Sequence, residues 1–242
     1  MESFQDQGIV LSVRGHGENG AIVSLMCEHE GRVAGYVRGA SGSKMRGTLE
    51  IGNRVDAGWS SRVSDGLGAY SLELCRNYTA SFMSDPLKLA ALQAACALVD
   101  RALPEREVHA GLYHGLCALF GMLQDAAMDE AWGQAYVMWE IALLKELGFS
   151  LDLSRCAGGG DDGDLAYVSP KTGRAVSRGA GAVYKAKLLP LPSFLTRRSG
   201  DAEEGDVLDG LKMTGYFLEH WVFNHHTHGV PEARVVLQAR MG

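Results

Sequence analysis

The sequence lacks the features that mark membrane-spanning and exported proteins. No apolar run reaches the roughly 18 residues needed to cross a bilayer. The first ten residues, MESFQDQGIV, contain no basic region followed by an apolar one. The five cysteines are scattered, and no two of them form a CxxC pair. We therefore expect no signal peptide, no membrane contact, reduced thiols and a cytoplasmic protein.

Recognisable catalytic motifs are missing as well. The chain contains no GxSxG, no HExxH and no cysteine–histidine pair of familiar spacing. Four histidines gather in EHWVFNHHTHG, but their spacing fits no standard metal site, and we interpret them as a helix end whose dipole favours histidine. These four are His220, His225, His226 and His228. We expect no enzymatic activity, no cofactor and no small-molecule substrate.

Charge is distributed unevenly along the chain. The formal net charge is −6, and most of the acidic excess lies in residues 81–164, which hold 13 Asp and Glu but only 5 Lys and Arg. Residues 165–200 hold 7 Lys and Arg and no acid at all. Because charges farther apart than a Debye length of about 8–10 Å are largely screened, local charge matters more than the total, and this basic segment favours a polyanionic partner. The open alternative is that the neighbouring acidic helices neutralise it.

Short alternating segments dominate the first 80 residues. GIVLSVR, AIVSLMCE, RVAGYVRG, RVDAGWS and AYSLELCRNY each show strand periodicity, with glycine-rich turns between them and a mobile loop expected in ASGSKMRGT. Five short strands with tight turns are typical of a small closed barrel, and the OB-fold is the common five-stranded one. We predict an OB-fold domain over residues 1–79.

Helical periodicity begins at Ser84. Segments starting with SDPLKLAALQAACALVDRAL, VHAGLYHGLCALF and EAWGQAYVMWEIALLKELGF predict three antiparallel helices, with Pro86 in the first turn and Gly148 as a C-cap. Residues 153–200 differ, since LAYVSPKTGRAVS predicts a small hairpin and LLPLP an extended segment. We predict an α-helical bundle over residues 80–242 with a basic β insert at 153–200, and hence an α+β multidomain protein.

The glycine-rich stretch GRVAGYVRGASGSKMRG carries four cations: Arg32, Arg38, Lys44 and Arg46. It resembles a nucleotide-binding P-loop only superficially, because the lysine comes one residue late and the Ser or Thr that holds Mg²⁺ is replaced by Met45. We see no signal for a following helix. Cations on a strand and loop, with Tyr36 among them for stacking, suit a single-stranded nucleic acid. An ordinary solvated strand edge explains the same residues equally well.

The order of these pieces resembles the RecO family of bacterial DNA recombination and repair mediators. GIVLSVRGHGENGAIVSLMCEHEGRVAGYVRGA is similar to the first barrel strands of that family, and WEIALLKELGFSLDLSRCA followed by AYVSPKTGRAVS is similar to its central helix and zinc-ribbon-like insert. The resemblance implies an OB-fold, a helical bundle and a non-enzymatic role. It also implies binding of single- and double-stranded DNA, strand annealing, contact with single-stranded-DNA-binding protein, and cooperation with RecR to load RecA at the nucleoid.

The chain departs from the family pattern in two places. Many members hold zinc through four cysteines of the insert, whereas here only Cys156 stands and Gly159 occupies the CxxC position. A structural zinc takes four ligands, so we expect no metal. Some members carry an arginine before the glutamate of the central helix, used in binding the acidic tail of the single-strand binder. Here Val137 and Met138 precede Glu140, which puts that tail site in doubt.

The DNA contacts are predicted on the barrel first and on the insert second. The barrel candidates are Arg14, Arg32, Tyr36, Arg38, Lys44, Arg46 and Arg54, and the insert candidates are Arg174, Arg178, Lys185 and Lys187. Two alternatives remain open from the residues alone. One is an enzyme that holds a nucleotide in the glycine-rich loop, and the other is a protein-binding adaptor without DNA affinity.

Overall fold

The computed structural model describes residues 2–63, 66–196, 205–225 and 227–242. The chain divides into two compact units. The first is Met1–Ala126 with Pro231–Leu237, and the second is Ala127–Val230 with Gln238–Gly242. No helix in the described ranges is both long and apolar enough to cross a membrane.

The first unit contains the predicted five-stranded barrel. Its strands are β1 (Glu2–His16), β2 (Gly20–Cys27), β3 (Gly31–Val37), β4 (Arg54–Ser61) and β5 (Gly68–Arg76). They close in the order β1-β2-β3-β5-β4, with β3 and β5 parallel and the other pairs antiparallel. This confirms the α+β architecture with an N-terminal OB-fold.

Alternation of inward and outward residues is clearest in β3 and β4. In β3 the odd-numbered residues are buried and the even-numbered ones are not. Two inward glycines make room for the largest core rings, since a Cβ at Gly35 would lie 2.4 Å from the Tyr70 ring and one at Gly68 2.2 Å from the Trp59 ring. The Trp59 indole donates a hydrogen bond to the Ala34 carbonyl at 3.2 Å and stacks on Phe4. Small inward residues therefore let two aromatic rings fill the barrel.

A short helix, α1 (Ser43–Thr48), lies between β3 and β4. The sequence predicts a mobile loop there with no helix signal, and that prediction is wrong. The helix is too short to show an apolar period, so its stability comes from tertiary contacts. Buried Asn53 donates a hydrogen bond to the Gly47 carbonyl at 2.8 Å and accepts one from the Tyr78 amide at 3.1 Å. Asn53 thus ties the end of α1 to the chain leaving the barrel.

Two long helices follow the barrel in the first unit. They are α2 (Pro86–Ala102) and α3 (Ala110–Gln124). The predicted start of α2 is confirmed, because the Asp85 carboxylate accepts hydrogen bonds from the Leu87 and Lys88 amides at 3.1 Å and Pro86 occupies the first turn. The three predicted helices all form, and the compact units part between α3 and the third of them.

The second unit combines helices with the predicted insert. Its helices are α4 (Trp132–Glu146), α5 (Arg178–Gly181) and α6 (Asp206–Phe217). Helix α6 continues into a π-helical turn, Leu218–Val222. The residues of α7 (Glu232–Arg240) are divided between the two units. The insert is a three-stranded sheet in the order β7-β6-β8, formed by β6 (Leu165–Val168), β7 (Ala175–Ser177) and β8 (Leu189–Pro190). Hairpin and extended segment agree with the sequence prediction. The 178–187 helical turns do not appear in it.

Candidate nucleic-acid interface on the barrel

The outer side of β1, β2 and β3 carries a row of polar and aromatic side chains at one end of the strands. The strand register places Arg14 opposite Ile22, and Ile22 opposite Tyr36. Directly paired residues of neighbouring strands share one side of a sheet. Their neighbours Val13, Val23 and Val37 alternate with them and point to the core, where the last two are fully buried. We call the outward set Arg14, His16, Ile22 and Tyr36, together with exposed Arg38 in the turn after β3, the barrel face.

Tyr36 is the aromatic centre of the barrel face. Its ring lies against the backbone at Gly20, where an added Cβ would come 2.2 Å from the hydroxyl oxygen. The His16 ring meets it edge-on, with centroids 6.0 Å apart. One side of the tyrosine is therefore packed, and the residue stays only half-buried. His16 is a residue that the sequence reasoning missed, although it continues the alternation that contains Arg14.

Two cations flank that ring. Arg14 and Arg38 are both exposed, and within the described part of the chain neither forms an ion pair or a hydrogen bond through its side chain. Arg38 lies in the turn that directly follows β3, two residues after Tyr36. The barrel face thus combines a half-exposed ring with two free guanidinium groups. Such a set can stack a base and neutralise phosphates.

Arg32 lies at the other end of β3, about 20 Å from Arg38 by the rise of an extended strand. Its Nε donates to the Leu103 carbonyl at 2.8 Å, and its Nη1 lies 3.4 Å from Glu105 Oε1 and 3.7 Å from Asp100 Oδ1. Only 17% of its side chain is exposed. The structure therefore separates Arg32 from the barrel face and pairs it with the segment after α2.

Lys44 and Arg46 lie exposed on α1 rather than on a loop. Lys44 lines a groove of about 820 Å³ across β1, β4 and β5, and that groove also contains Asp56 and Glu73. The two acids are register partners on β4 and β5. A mixed-charge groove suits a polyanion less well than the barrel face does, because carboxylates repel phosphates.

Arg54 stands at the start of β4, beside Tyr78, Tyr113 and the Cys117 thiol. It is half-buried, and among the described residues its Nε has no hydrogen-bond partner. The register pairs it with Ile9 and Arg76. Arg54 therefore does not join Tyr36, and any DNA contact it makes belongs to a different part of the barrel.

The four cations predicted on the insert comprise two ion-paired arginines and two exposed lysines. Arg174 pairs with Asp152 at 3.5 Å, and Arg178 pairs with Asp164 at 3.6 Å. Lys185 and Lys187 are exposed in a 3₁₀ turn and have no acidic partner among the described residues. Arg197 and Arg198 of the basic segment lie outside the described residues. Local acids thus neutralise part of the segment and leave its lysines free.

Cys156 is held by its own neighbourhood in the insert. Its Sγ accepts hydrogen bonds from the Ser177 amide at 3.2 Å and the Gly160 amide at 3.3 Å, and lies 3.4 Å from Ser177 Oγ. Burial raises the pKa of this thiol, but the hydrogen bonds outweigh burial and hold the pKa below its usual value. Of the other thiols, buried Cys27 has its pKa raised to about 12, which makes it unreactive.

The histidine-rich segment forms no metal cluster within the described residues. His220 stacks on Tyr216 with centroids 4.0 Å apart, and its Nδ1 lies 2.9 Å from the Tyr216 carbonyl oxygen. His225 and His228 are exposed, and His226 lies outside the described residues. Across those residues, the single group of three with suitable donor spacing is Asp6, Glu28 and His29.

The Asp6–His29 contact closes the turn between β2 and β3. The Asp6 carboxylate, only 3% exposed, accepts hydrogen bonds from the Gln7, His29 and Glu30 amides and lies 3.0 Å from His29 Nδ1. That hydrogen bond and the Asp6 charge raise the pKa of His29. A raised folded-state pKa stabilises the fold fully below the unfolded value of about 6.5, and the stabilisation is lost as pH rises through the folded value.

We therefore expect His29→Gln to lower the thermal midpoint at about pH 5.5, with a deficit that shrinks towards zero by about pH 9. Thermal unfolding followed by circular dichroism across that pH range measures it. In an Asp6→Asn background the same substitution should no longer change the pH dependence, because the partner charge is gone. A deficit that stays constant with pH would contradict this assignment.

The second unit contains the helix in which the family resemblance places a tail site. Val137 is buried, and a Cβ at Gly210 would come 2.9 Å from its methyl groups. Glu140 is fully buried and accepts a hydrogen bond from the Thr214 hydroxyl at 2.5 Å. Met138 is exposed. The glutamate is thus enclosed within the second unit and hydrogen-bonded there, and the location of a tail site stays a prediction.

Comparison with known proteins accounts for nearly the whole chain. The family model described as "Recombination protein O N terminal" matches residues 1–78, and "Recombination protein O C terminal" matches residues 83–228. The DNA repair protein RecO of Rhodospirillum centenum is 51% identical over 96% of this chain and 91% of its own length. The RecO proteins of Caulobacter sp. and Rhodospirillum rubrum are each 46% identical, over 99% and 97% of this chain and 97% and 94% of their own lengths. The chain belongs to the RecO family of DNA repair proteins.

Proposed function

We propose that the chain is a non-enzymatic mediator of recombinational DNA repair that binds single- and double-stranded DNA at the nucleoid. In this role it anneals complementary strands and helps RecR load RecA onto DNA coated with single-stranded-DNA-binding protein. Its place in DNA repair follows from its family. The DNA-binding activity rests on one observation: Arg14 and Tyr36 lie on the outer side of the first three barrel strands, and exposed Arg38 follows Tyr36 in the turn after β3.

That position supports a nucleic-acid ligand for a physical reason. OB-folds bind oligonucleotides on the outer face of strands 2 and 3, between the loop that joins strands 1 and 2 and the loop that joins strands 4 and 5. In this chain Tyr36 is on β3, and the turn after His16 is the first of those loops. Free cations beside an aromatic ring provide both phosphate neutralisation and base stacking without reading the sequence.

Salt dependence is the direct test. A labelled single-stranded oligonucleotide titrated at several salt concentrations should show affinity that falls with salt, and each phosphate contact adds about −0.7 to the log–log slope. Contacts by Arg14 and Arg38 alone predict a contribution of about −1.4. Fluorescence anisotropy gives the slope.

An annealing assay separates the mediator from its alternatives. Two complementary strands, bare or coated with single-strand binder, should anneal faster with the chain present. An adaptor without DNA affinity would bind RecR or the single-strand binder and leave bare strands unaffected. A nucleotide-dependent enzyme would bind ATP with Mg²⁺ in calorimetry, and binding of that kind would overturn the proposal.

A further inference from the structure

The helical turns of the insert present apolar and basic side chains to solvent together. Helix α5 runs into the 3₁₀ helix Ala182–Lys187, in which the side chains of Val183 and Tyr184 are exposed, at 88% and 61%. Lys185 and Lys187 are exposed beside them. We call Val183, Tyr184, Lys185 and Lys187 the insert patch. A solvent-exposed tyrosine next to an even more exposed valine contributes little to the core.

The insert patch is anchored at both ends. The Ser177 side chain caps the start of α5 by accepting from the Ala180 amide at 3.4 Å. Gly181 packs under Tyr167, where a Cβ would come 2.5 Å from the ring. Directly afterwards the chain enters β8, which pairs with β6. The exposed side chains therefore project from a defined turn.

The geometry of that turn sets the spacing of the groups. In a 3₁₀ helix, side chains at i and i+3 lie on one line, so Tyr184 and Lys187 share a face, about 6 Å apart along the axis. No acid lies anywhere in residues 165–200. Arg174 and Arg178 form ion pairs with Asp152 and Asp164, and both of these acids precede residue 165 in the chain.

From these placements we propose that the insert patch is a second binding site for single-stranded DNA, in which Tyr184 stacks on a base while Lys187 and Lys185 neutralise phosphates. Complementarity favours a polyanion, because the patch carries two unpaired ammonium groups and no carboxylate. An exposed phenol ring supplies the stacking surface that single-strand binders use. The site rests on the proposed function and extends it, since a chain with two such sites can engage two strands at once.

Substitutions of Tyr184 in the full chain test the ring. With a labelled oligonucleotide as the probe, Tyr184→Ala in a barrel-face background of Arg14→Ala and Arg38→Ala should weaken the remaining binding by about 5- to 150-fold. Tyr184→Phe should keep that binding, because the ring is retained. Annealing by the otherwise unchanged chain should slow with Tyr184→Ala and recover with Tyr184→Phe.

The lysines have a matched control in the same insert. Lys185→Ala with Lys187→Ala should make the log–log salt slope less negative by about 1.4. Arg174→Ala with Arg178→Ala removes the same charge from ion-paired positions and should change the slope much less. Equal effects of the two pairs would overturn the proposal. So would a patch variant that anneals DNA normally but fails to bind a synthetic acidic peptide, because the surface would then serve a protein partner.

The two proposals fail in distinguishable ways. If the unaltered chain shows no affinity for the oligonucleotide, the proposed function fails. If the unaltered chain binds, the barrel-face variant binds less and the insert-patch variants behave like the unaltered chain, only the second site is wrong.

Discussion

Tyr36→Ala is expected to weaken single-stranded DNA binding by about 5- to 150-fold, which corresponds to the roughly 1–3 kcal/mol that one stacked base contributes. The ring packs on the Gly20 backbone and against His16, so it is held in place before any ligand arrives. A pre-positioned ring loses little conformational freedom on binding. Anisotropy titration at fixed salt measures the change. Tyr36→Phe should bind nearly as well as the unaltered chain, which identifies stacking as the cause.

The cations beside the ring act through a different observable. Arg14→Ala with Arg38→Ala should make the log–log salt slope less negative by about 1.4, while Tyr36→Ala should leave the slope almost unchanged. Lys145→Ala with Lys212→Ala removes the same charge from helices of the second unit and is the matched control. An unchanged slope in the arginine variant, or an equal change in the lysine control, would remove the barrel face as the DNA site.

Sequence alone predicted the barrel well because its signal is local. Strands β3 and β4 alternate buried residues with less buried ones, and glycine marks turns between strands. The start of α2 could also be predicted, because its capping residue Asp85 and Pro86 in its first turn are adjacent in the sequence. Helix α1 escaped prediction because six residues cannot display a helical period and its anchor, Asn53, acts from outside it.

The site was only partly predictable for a related reason. The sequence places Tyr36 and Arg38 in the basic stretch and gives Arg14 only as a flanking candidate on the same barrel, and His16 continues the alternation of Arg14 without being recognised. The partners of Arg32 lie about 70 positions further along the chain, at Leu103 and Glu105, and no local pattern reveals such a pairing. Nor does sequence show that the groove lined by Lys44 also holds carboxylates, or that Tyr184 points into solvent.

Gly31→Ala is expected to destabilise the first unit by about 3–5 kcal/mol, which is near the upper end for a single substitution. Gly31 has a φ of 70°, and an added Cβ would lie 2.0 Å from the Glu107 carbonyl oxygen. The backbone after α2 must therefore move away from β3. That movement would break the hydrogen bond from the Arg106 amide to the Arg32 carbonyl and disturb Arg106 over the Trp59 ring, 4.2 Å away. Denaturant unfolding measures the loss.

Gly17→Ala is the matched control for that substitution. Gly17 has nearly the same φ, 67°, but nothing lies within 4 Å of its added Cβ. It should cost only the left-handed strain of about 1–2 kcal/mol. Equal losses at the two positions would mean that the segment after α2 yields freely and that its close approach to β3 contributes nothing.

Double variants that combine Arg32→Ala with Gly31→Ala or Gly17→Ala test the role of Arg32. If Arg32 holds the segment after α2, then Arg32→Ala and Gly31→Ala disrupt one contact, and their combined loss of unfolding free energy should be smaller than the sum of the single losses. Arg32→Ala combined with Gly17→Ala should be additive, because those sites share no partner. If Arg32 instead contacted DNA, the loss of unfolding free energy in Arg32→Ala would be additive with the loss in each glycine variant. Arg32→Ala would then also make the log–log salt slope less negative. The ion pairs with Asp100 and Glu105 favour the structural outcome, which leaves the barrel face to Arg14, Tyr36 and Arg38.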